Sequence, residues 1–159
     1  MQGIQRLTLA TLAGLSLTAA AACKKDNPAA PKVESYSASL SGSNETTPPA
    51  LVLGATGTST MTVNGNNVTW TITTNNFAGG TTAPGSASTT LPAHIHLGAV
   101  GVAGGIMVPL SAVVNGSTTG TATVADSVLT HMRAGNAYVN VHTAARAAGE
   151  IRGQLVRNP

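Results

Sequence analysis

Two histidines stand two residues apart in the segment LPAHIHLGAV (91–100), at His94 and His96, in a chain with only four histidines. Side chains two residues apart on a β-strand point to the same face, about 6.5 Å from each other along the strand. This spacing lets two imidazoles bind one ion, and neutral imidazole is a ligand that Zn and Cu accept. The pair therefore suggests a metal site, part of a catalytic site, or the polar face of a strand.

A third histidine falls on the same kind of strand face further along the chain. The segments AYVNVHT (137–143) and GEIRGQL (149–155) alternate between aliphatic and polar residues, as half-buried strands do. We expect the aliphatic faces to form the core and the last two strands to pair as a hairpin. The polar faces of the three strands then carry His94, His96, Tyr138, Asn140, His142, Glu150, Arg152 and Gln154.

Two interpretations of this polar face remain open at the level of sequence. In the first, His94, His96 and His142 bind one Zn or Cu ion. In the second, which the sequence favours, the imidazoles belong to a hydrogen-bonded polar cluster that fixes the register of the strands. That cluster pairs the imidazoles with Tyr138, Asn140 or Glu150, and it pairs Glu150 with Arg152 or a neighbour.

The sequence holds no recognisable catalytic constellation. Hydrolysis requires a nucleophile, a base and a group that orients the base, and no serine is singled out for that role. Phosphate-binding, dinucleotide-binding and zinc-protease motifs do not occur. We therefore expect the protein not to be an enzyme. Aromatic residues make up only 3% of the chain and the basic residues are scattered, so we expect no nucleic-acid partner.

The N-terminal segment predicts export and membrane attachment. Arg6 precedes an apolar stretch too short to span a bilayer, and small residues follow up to Cys23, the only cysteine. Residues 1–22 resemble a bacterial lipoprotein signal peptide, with Ala20 where that motif usually has Leu. The resemblance implies that Cys23 is lipidated and anchors the protein in the cell envelope. Residues 23–32 predict a flexible tether, and their charged start favours the outer membrane, on its periplasmic or its outer side.

The rest of the chain predicts a single all-β domain. Thr, Val, Ala and Gly are abundant, and an apolar content of 42% is enough for a core. The segments GTSTMTV and VTWTITT flank NGNN (64–67), where Asn-Gly predicts a hairpin turn, and Trp70 is expected in the core. One short helix is predicted at 127–134, with Asp126 as its N-cap and Gly135 as its stop.

Three blocks of this region resemble the CHRD (chordin-type) domain, which occurs in secreted bacterial proteins and in animal chordin. They are LSGSNETTPPALVLGATGTSTMTV, AHIHLGAVGVAGGIMVPL and AGNAYVNVHTAARAAGEIRGQL, in the order and spacing of that family. The resemblance assigns a CHRD domain to residues 33–157. It implies a single Greek-key β-sandwich or barrel, either immunoglobulin-like or like copper-zinc superoxide dismutase. It also implies an extracytoplasmic location and no established enzymatic activity.

Together these features predict a lipid-anchored cell-envelope protein that acts as a non-enzymatic binding or structural module. Its partners would be the membrane, through Cys23, and an unidentified envelope or extracellular protein. The alternative is an envelope protein that binds Zn or Cu through His94, His96 and His142. Copper-zinc superoxide dismutases also carry a His-x-His pair on a barrel strand. This chain lacks the further histidines of their two-metal site, so we expect no dismutase activity.

Overall fold

The computed structural model describes residues 32–46, 54–76, 90–144 and 146–159. The predicted signal peptide, Cys23 and the predicted tether up to Pro31 lie outside these residues. Within them, no helix is both long enough and apolar enough to cross a membrane.

Strands dominate the described part of the chain, because most of its segments alternate between small or β-branched polar residues and apolar ones. The pattern is strictest in β2 and β3, where every second side chain is buried and threonines fill most exposed positions. The strands are β1 (Glu34–Ser41), β2 (Thr56–Asn64), β3 (Asn67–Asn75), β4 (Thr90–Leu97), β5 (Ile106–Val114), β6 (Ser117–Thr123), β7 (Ala137–Thr143), β8 (Arg146–Gln154) and β9 (Val156–Arg157).

Eight of these strands form a closed antiparallel barrel, and the all-β prediction is confirmed. The order around the barrel is β1-β2-β3-β6-β5-β4-β7-β8, and β8 returns to β1; β9 pairs with β1 outside the barrel. The strands β4, β5 and β6 follow one another, while β3 lies beside β6 and β7 lies beside β4. This is Greek-key connectivity, and it makes β4, β7 and β8 neighbours although residues 98–136 separate β4 from β7 in the chain.

The barrel interior is filled by the apolar faces of the strands. Trp70 is 3% exposed, as predicted, and its ring lies over Gly120 on the neighbouring strand, where a β-carbon would overlap it. Each fully buried aliphatic side chain contributes roughly 1.5–3 kcal/mol of burial free energy. The largest fully buried side chains of the strands are Tyr36, Leu40, Met61, Ile72, Ile95 and Ile151.

Two Asn-Gly pairs form tight turns. The predicted hairpin between β2 and β3 is confirmed, with Asn64 opposite Asn67 and Gly65 at a φ of 58°. A second hairpin joins β5 to β6 through Asn115 and Gly116, whose φ angles are 53° and 85°. In this second hairpin both central residues have positive φ, which is the pattern of a type I′ turn and matches the twist of paired strands.

The single α-helix of the described residues, α1 (Asp126–Arg133), begins one residue earlier than predicted. Asp126 is its first helical residue and not its N-cap, because its carboxylate accepts a 2.6 Å hydrogen bond from Asn66 instead of bonding to the helix backbone. The predicted stop is correct. Gly135 has a φ of 71°, and the amides of Gly135 and Asn136 donate to the carbonyls of Met132 and His131, which is a Schellman motif.

Candidate metal centre

The three strands with the predicted polar faces are neighbours, and the predicted hairpin of the last two is confirmed. In the pairing of β4 with β7, His94 lies opposite Asn140 and His96 lies opposite Tyr138. In the pairing of β7 with β8, Asn140 lies opposite Arg152. The alternate residues of these strands fill the barrel core. The polar side chains therefore share the outer face of the barrel.

This outer face is buried under a loop, which the strand pattern did not predict. Residues 98–105, between β4 and β5, lie over the polar face, and Tyr138, Asn140 and Arg152 are at most 3% exposed. The loop approaches the strands closely because it is rich in glycine. A β-carbon at Gly98 would lie 3.0 Å from the Tyr138 ring, and one at Gly104 would overlap the backbone of Leu97.

The three predicted metal ligands come together at one end of this face. The ring centroid of His94 lies 4.9 Å from that of His142 and 5.6 Å from that of His96. The rings of His96 and His142 are 5.5 Å apart. Each residue offers one ligand nitrogen, and these atoms all lie within 4.8 Å of one another. His96 and His142 are buried, and His94 is partly buried.

Backbone carbonyls determine which ring nitrogen carries the proton in two of these imidazoles. His96 Nδ1 lies 3.0 Å from the carbonyl oxygen of Gly104, and His142 Nδ1 lies 3.0 Å from that of Ala147. A carbonyl only accepts hydrogen bonds, so in both rings Nδ1 carries the proton and donates it. In the neutral form each ring then has a free lone pair on Nε2.

Three of the four remaining ring nitrogens are buried and have no hydrogen-bond partner in the described part of the protein. His96 Nε2 and His142 Nε2 are buried and unpaired, and so is His94 Nδ1. Burial lowers the pKa of His94, and the nearby His96 lowers it further. Burial also lowers the pKa of His142, an effect that the bond to Ala147 partly offsets. Both rings therefore stay neutral at neutral pH, and a metal ion binds the neutral form.

Tyr138 and Arg152 hold the loop in place behind His96. The Tyr138 ring stacks on His96 at 5.1 Å, and its hydroxyl accepts a hydrogen bond from the Gly104 amide at 3.2 Å. The Arg152 guanidinium lies 3.4 Å from the centroid of the Tyr138 ring. The guanidinium also donates to two loop carbonyls, those of Ala99 and Val102, at 2.9 and 2.8 Å.

The hydrogen bonds differ from those predicted for the polar cluster. His96 and His142 donate to backbone carbonyls, whereas the polar-cluster hypothesis paired the imidazoles with side chains. Glu150 accepts a 2.7 Å hydrogen bond from Thr143 and lies 3.9 Å from Arg146, so of its two predicted alternatives the structure has the pairing with neighbours and not with Arg152. Asn140 donates to the carbonyl of Ala148. The cluster residues therefore support the loop and strands around the histidines and leave the three ring nitrogens unpaired.

The histidine triad is open on one side. A recess of about 450 Å³ adjoins His94 and His142, whereas the loop and Tyr138 cover His96. The lining of this recess is Thr90, Pro92, His94, Ile106, His142, Thr143, Ala144 and Ala147.

Glu45 is a partly buried carboxyl group that the sequence did not single out as a site residue. It follows the short 3-10 helix Gly42–Asn44, and its Oε1 and the Asn140 Oδ1 are both buried without a hydrogen-bond donor. A β-carbon at Gly149 would overlap the Asn140 amide and lie 2.7 Å from Glu45 Oε1, which places the two groups side by side. Burial raises the pKa of Glu45 to about 7, against the opposing effect of Arg152. The only sequence signal was its place in the first family-like block.

Glu45 should make stability depend on pH near neutrality. Because its pKa is raised in the folded state, the folded protein holds this proton more tightly than the unfolded chain, and stability is lost as pH rises through about 7. We expect the melting temperature to fall from about pH 5 to about pH 7.5 and then to level off, and Glu45→Gln to flatten this dependence. Asp126→Asn, at an exposed carboxyl group, is the control. An equal slope in the Glu45→Gln variant would contradict the assignment.

By its fold and its candidate site, the protein is a Greek-key β-barrel with a histidine triad on its outer face. A family model, the CHRD domain, matches residues 36–155, from β1 to the end of β8, and the chain belongs to this family. The matched region includes the histidine triad and the residues that support it. No curated protein and no solved structure matches the chain.

Proposed function

We propose that this CHRD-domain protein binds a transition metal, with His94, His96 and His142 as ligands to one Zn or Cu ion. Two observations carry the proposal: each of the three histidines offers one ring nitrogen within 4.8 Å of the others, and each has a buried ring nitrogen without a hydrogen-bond partner. An unsatisfied buried polar group costs about 1–3 kcal/mol, so three such groups at one point need a compensating partner. One ion bound by all three nitrogens supplies it.

The donor atoms favour Zn or Cu over other ions. Ca²⁺ and Mg²⁺ prefer oxygen ligands, whereas imidazole nitrogen suits Zn and Cu. A tetrahedral Zn site has ligand nitrogens about 3.3 Å apart, so each ring would move inward by about 1 Å on binding. Nδ1 of His96 and Nδ1 of His142 donate hydrogen bonds to the carbonyls of Gly104 and Ala147. These bonds already orient the two rings so that Nε2 is free. Such supporting bonds orient ligands in known metal sites.

Metal analysis of the full chain, purified in detergent without an affinity tag, tests the proposal. We expect about one equivalent of Zn or Cu per chain, and loss of that metal in a His94→Ala/His142→Ala double variant. His131→Ala is the matched control, because His131 lies on α1 outside the triad. A folded protein that takes up neither metal would refute the metal site. The polar face would then act only in a binding or structural module, which was the first prediction from sequence.

We also propose that the domain is attached to the cell envelope through a lipid on Cys23. The support is in the sequence, where the only cysteine follows an apolar stretch and four alanines. Several acyl chains bind a membrane stably, since each buried CH₂ contributes roughly 0.8 kcal/mol. Cys23→Ser should move the protein from the membrane fraction to the soluble fraction, whereas Lys25→Ala should not. A Cys23→Ser protein that stays in the membrane fraction would rule out this anchor.

Tyr138→Phe should weaken metal binding without unfolding the barrel. The change keeps the ring that stacks on His96 but removes the hydroxyl that contacts Gly104, the residue whose carbonyl orients His96. Loss of such a supporting contact typically lowers metal affinity about 10- to 100-fold. Competition with a chelator would measure this. Tyr36→Phe, which removes a hydroxyl bonded to Glu34 on β1, should leave the affinity unchanged. Equal affinities for the two variants would contradict the supporting role.

A further inference from the structure

We propose that a small anion from solution completes the metal site as its fourth ligand, entering through the recess beside His94 and His142. This inference rests on the proposed function. Zn and Cu commonly take four or more ligands, and among the described residues the group that could hold an ion contains three histidines only. One position on the ion is therefore left for a ligand that the described part of the chain does not supply.

Charge makes that ligand an anion. The three imidazoles are neutral ligands, so a divalent ion bound by them keeps its full charge. Two of the rings are buried and the third is partly buried, and an uncompensated charge is costly in such surroundings. None of the acidic side chains in the described residues belongs to the ligand group. An anion bound directly to the ion removes most of this cost.

The direction of entry follows from what covers each histidine. His96 is closed off by Gly104 and by the stacked ring of Tyr138. His94 and His142 instead line the recess of about 450 Å³, which is open to solvent. The fourth ligand therefore reaches the ion past these two rings.

The lining of the recess selects the kind of anion. Among the lining residues that the structure describes, Pro92, Ile106 and Ala144 are apolar, and the polar side chains other than the two histidines are Thr90 and Thr143. Sulfate and phosphate hold their water strongly and need several donors or a cation, which this lining does not offer. A small, weakly hydrated, monovalent anion such as azide or thiocyanate loses little hydration free energy when it enters the recess. The site thus takes monovalent anions that bind the metal through one atom.

Titration of the Co²⁺-loaded full chain with sodium azide tests the inference, because the visible spectrum of Co²⁺ reports its ligands. We expect a saturable spectral change with one azide per Co²⁺, and a much weaker response to phosphate. Thr90→Trp and Ala144→Trp place a bulky ring in the recess. Each should lower azide affinity at least tenfold while Co²⁺ content stays the same. Thr119→Trp, at an exposed position of β6, is the matched control and should behave as the unaltered protein.

The outcomes separate this inference from the proposed function. If Co²⁺ does not bind, the metal site itself is refuted. If Co²⁺ binds through the histidines but azide leaves the spectrum unchanged, the metal site stands and the anion site is wrong. Equal azide affinity in both tryptophan variants and the unaltered protein would also refute entry through the recess. A spectral change accompanied by loss of Co²⁺ from the protein would mean that azide removes the ion, and it would overturn the inference as well.

Discussion

Zn²⁺ in excess should raise the melting temperature of the protein by about 10 °C. A ligand that binds only the folded state at 100 times its dissociation constant stabilises that state by about 2.7 kcal/mol. In a domain of this size, each kcal/mol shifts the melting temperature by about 3–5 °C. The site suits such a gain, because the ion would pair three ring nitrogens that are buried and unpaired in the folded protein. Differential scanning fluorimetry at several Zn²⁺ concentrations measures the shift.

The histidine variants show whether the gain comes from the triad. His142→Ala removes one of three ligands and should abolish most of the shift, whereas His131→Ala should keep all of it. The shift should also grow with the logarithm of the Zn²⁺ concentration above saturation, as mass action requires. A shift of equal size in the His142→Ala protein would place the Zn²⁺ elsewhere on the chain and would contradict the triad.

Much of this site could be predicted from side-chain periodicity. In β4, Ile95 had to face the core, which put His94 and His96 together on the other face. The same argument placed Tyr138 and His142 of β7 on their common face. The barrel then followed from composition, turns and family resemblance, and the structure confirms that β4 and β7 are neighbours.

Other features could not be predicted because backbone atoms create them. The carbonyls of Gly104 and Ala147 orient two histidines, and a carbonyl has no signature in the residue type. Burial of the polar face depends on how the loop 98–105 folds back, which strand alternation does not describe. Glu45 reaches Asn140 only because the barrel brings β1 next to β8. Such contacts join segments that are far apart in the chain.

Arg152→Ala should have the largest effect on stability among single changes at this site, a loss of about 3 kcal/mol. The guanidinium is 2% exposed, stacks on Tyr138 at 3.4 Å and donates to the carbonyls of Ala99 and Val102. A desolvated cation–π contact contributes up to about 2 kcal/mol, and hydrogen bonds from a charged donor about 1.5–3 kcal/mol each. Relaxation of the loop in the variant should offset part of this summed free energy, so the expected loss is about 3 kcal/mol. Urea denaturation would measure the difference in unfolding free energy.

The same change should loosen the loop and thereby weaken metal binding. Without the two bonds from Arg152, residues 98–105 would lose the contacts that hold them over the polar face, and the Gly104 carbonyl would leave His96. We expect faster hydrogen exchange at the Gly104 amide and a metal affinity at least tenfold lower. Arg152→Lys should not restore either property, because lysine keeps the charge but lacks the planar guanidinium that stacks on Tyr138.

Arg157→Ala supplies the matched comparison for this prediction. Arg157 lies on β9, outside the barrel. It is about half exposed and forms a 3.5 Å ion pair with Glu34, which also pairs with Arg133. Exposed ion pairs contribute about 0–1 kcal/mol, so we expect a small loss of stability and unchanged metal affinity. If Arg152→Ala and Arg157→Ala lowered stability equally and left metal binding alone, Arg152 would not hold the loop. The glycine-rich backbone of the loop and its contact with Tyr138 would then be what holds the loop over the polar face.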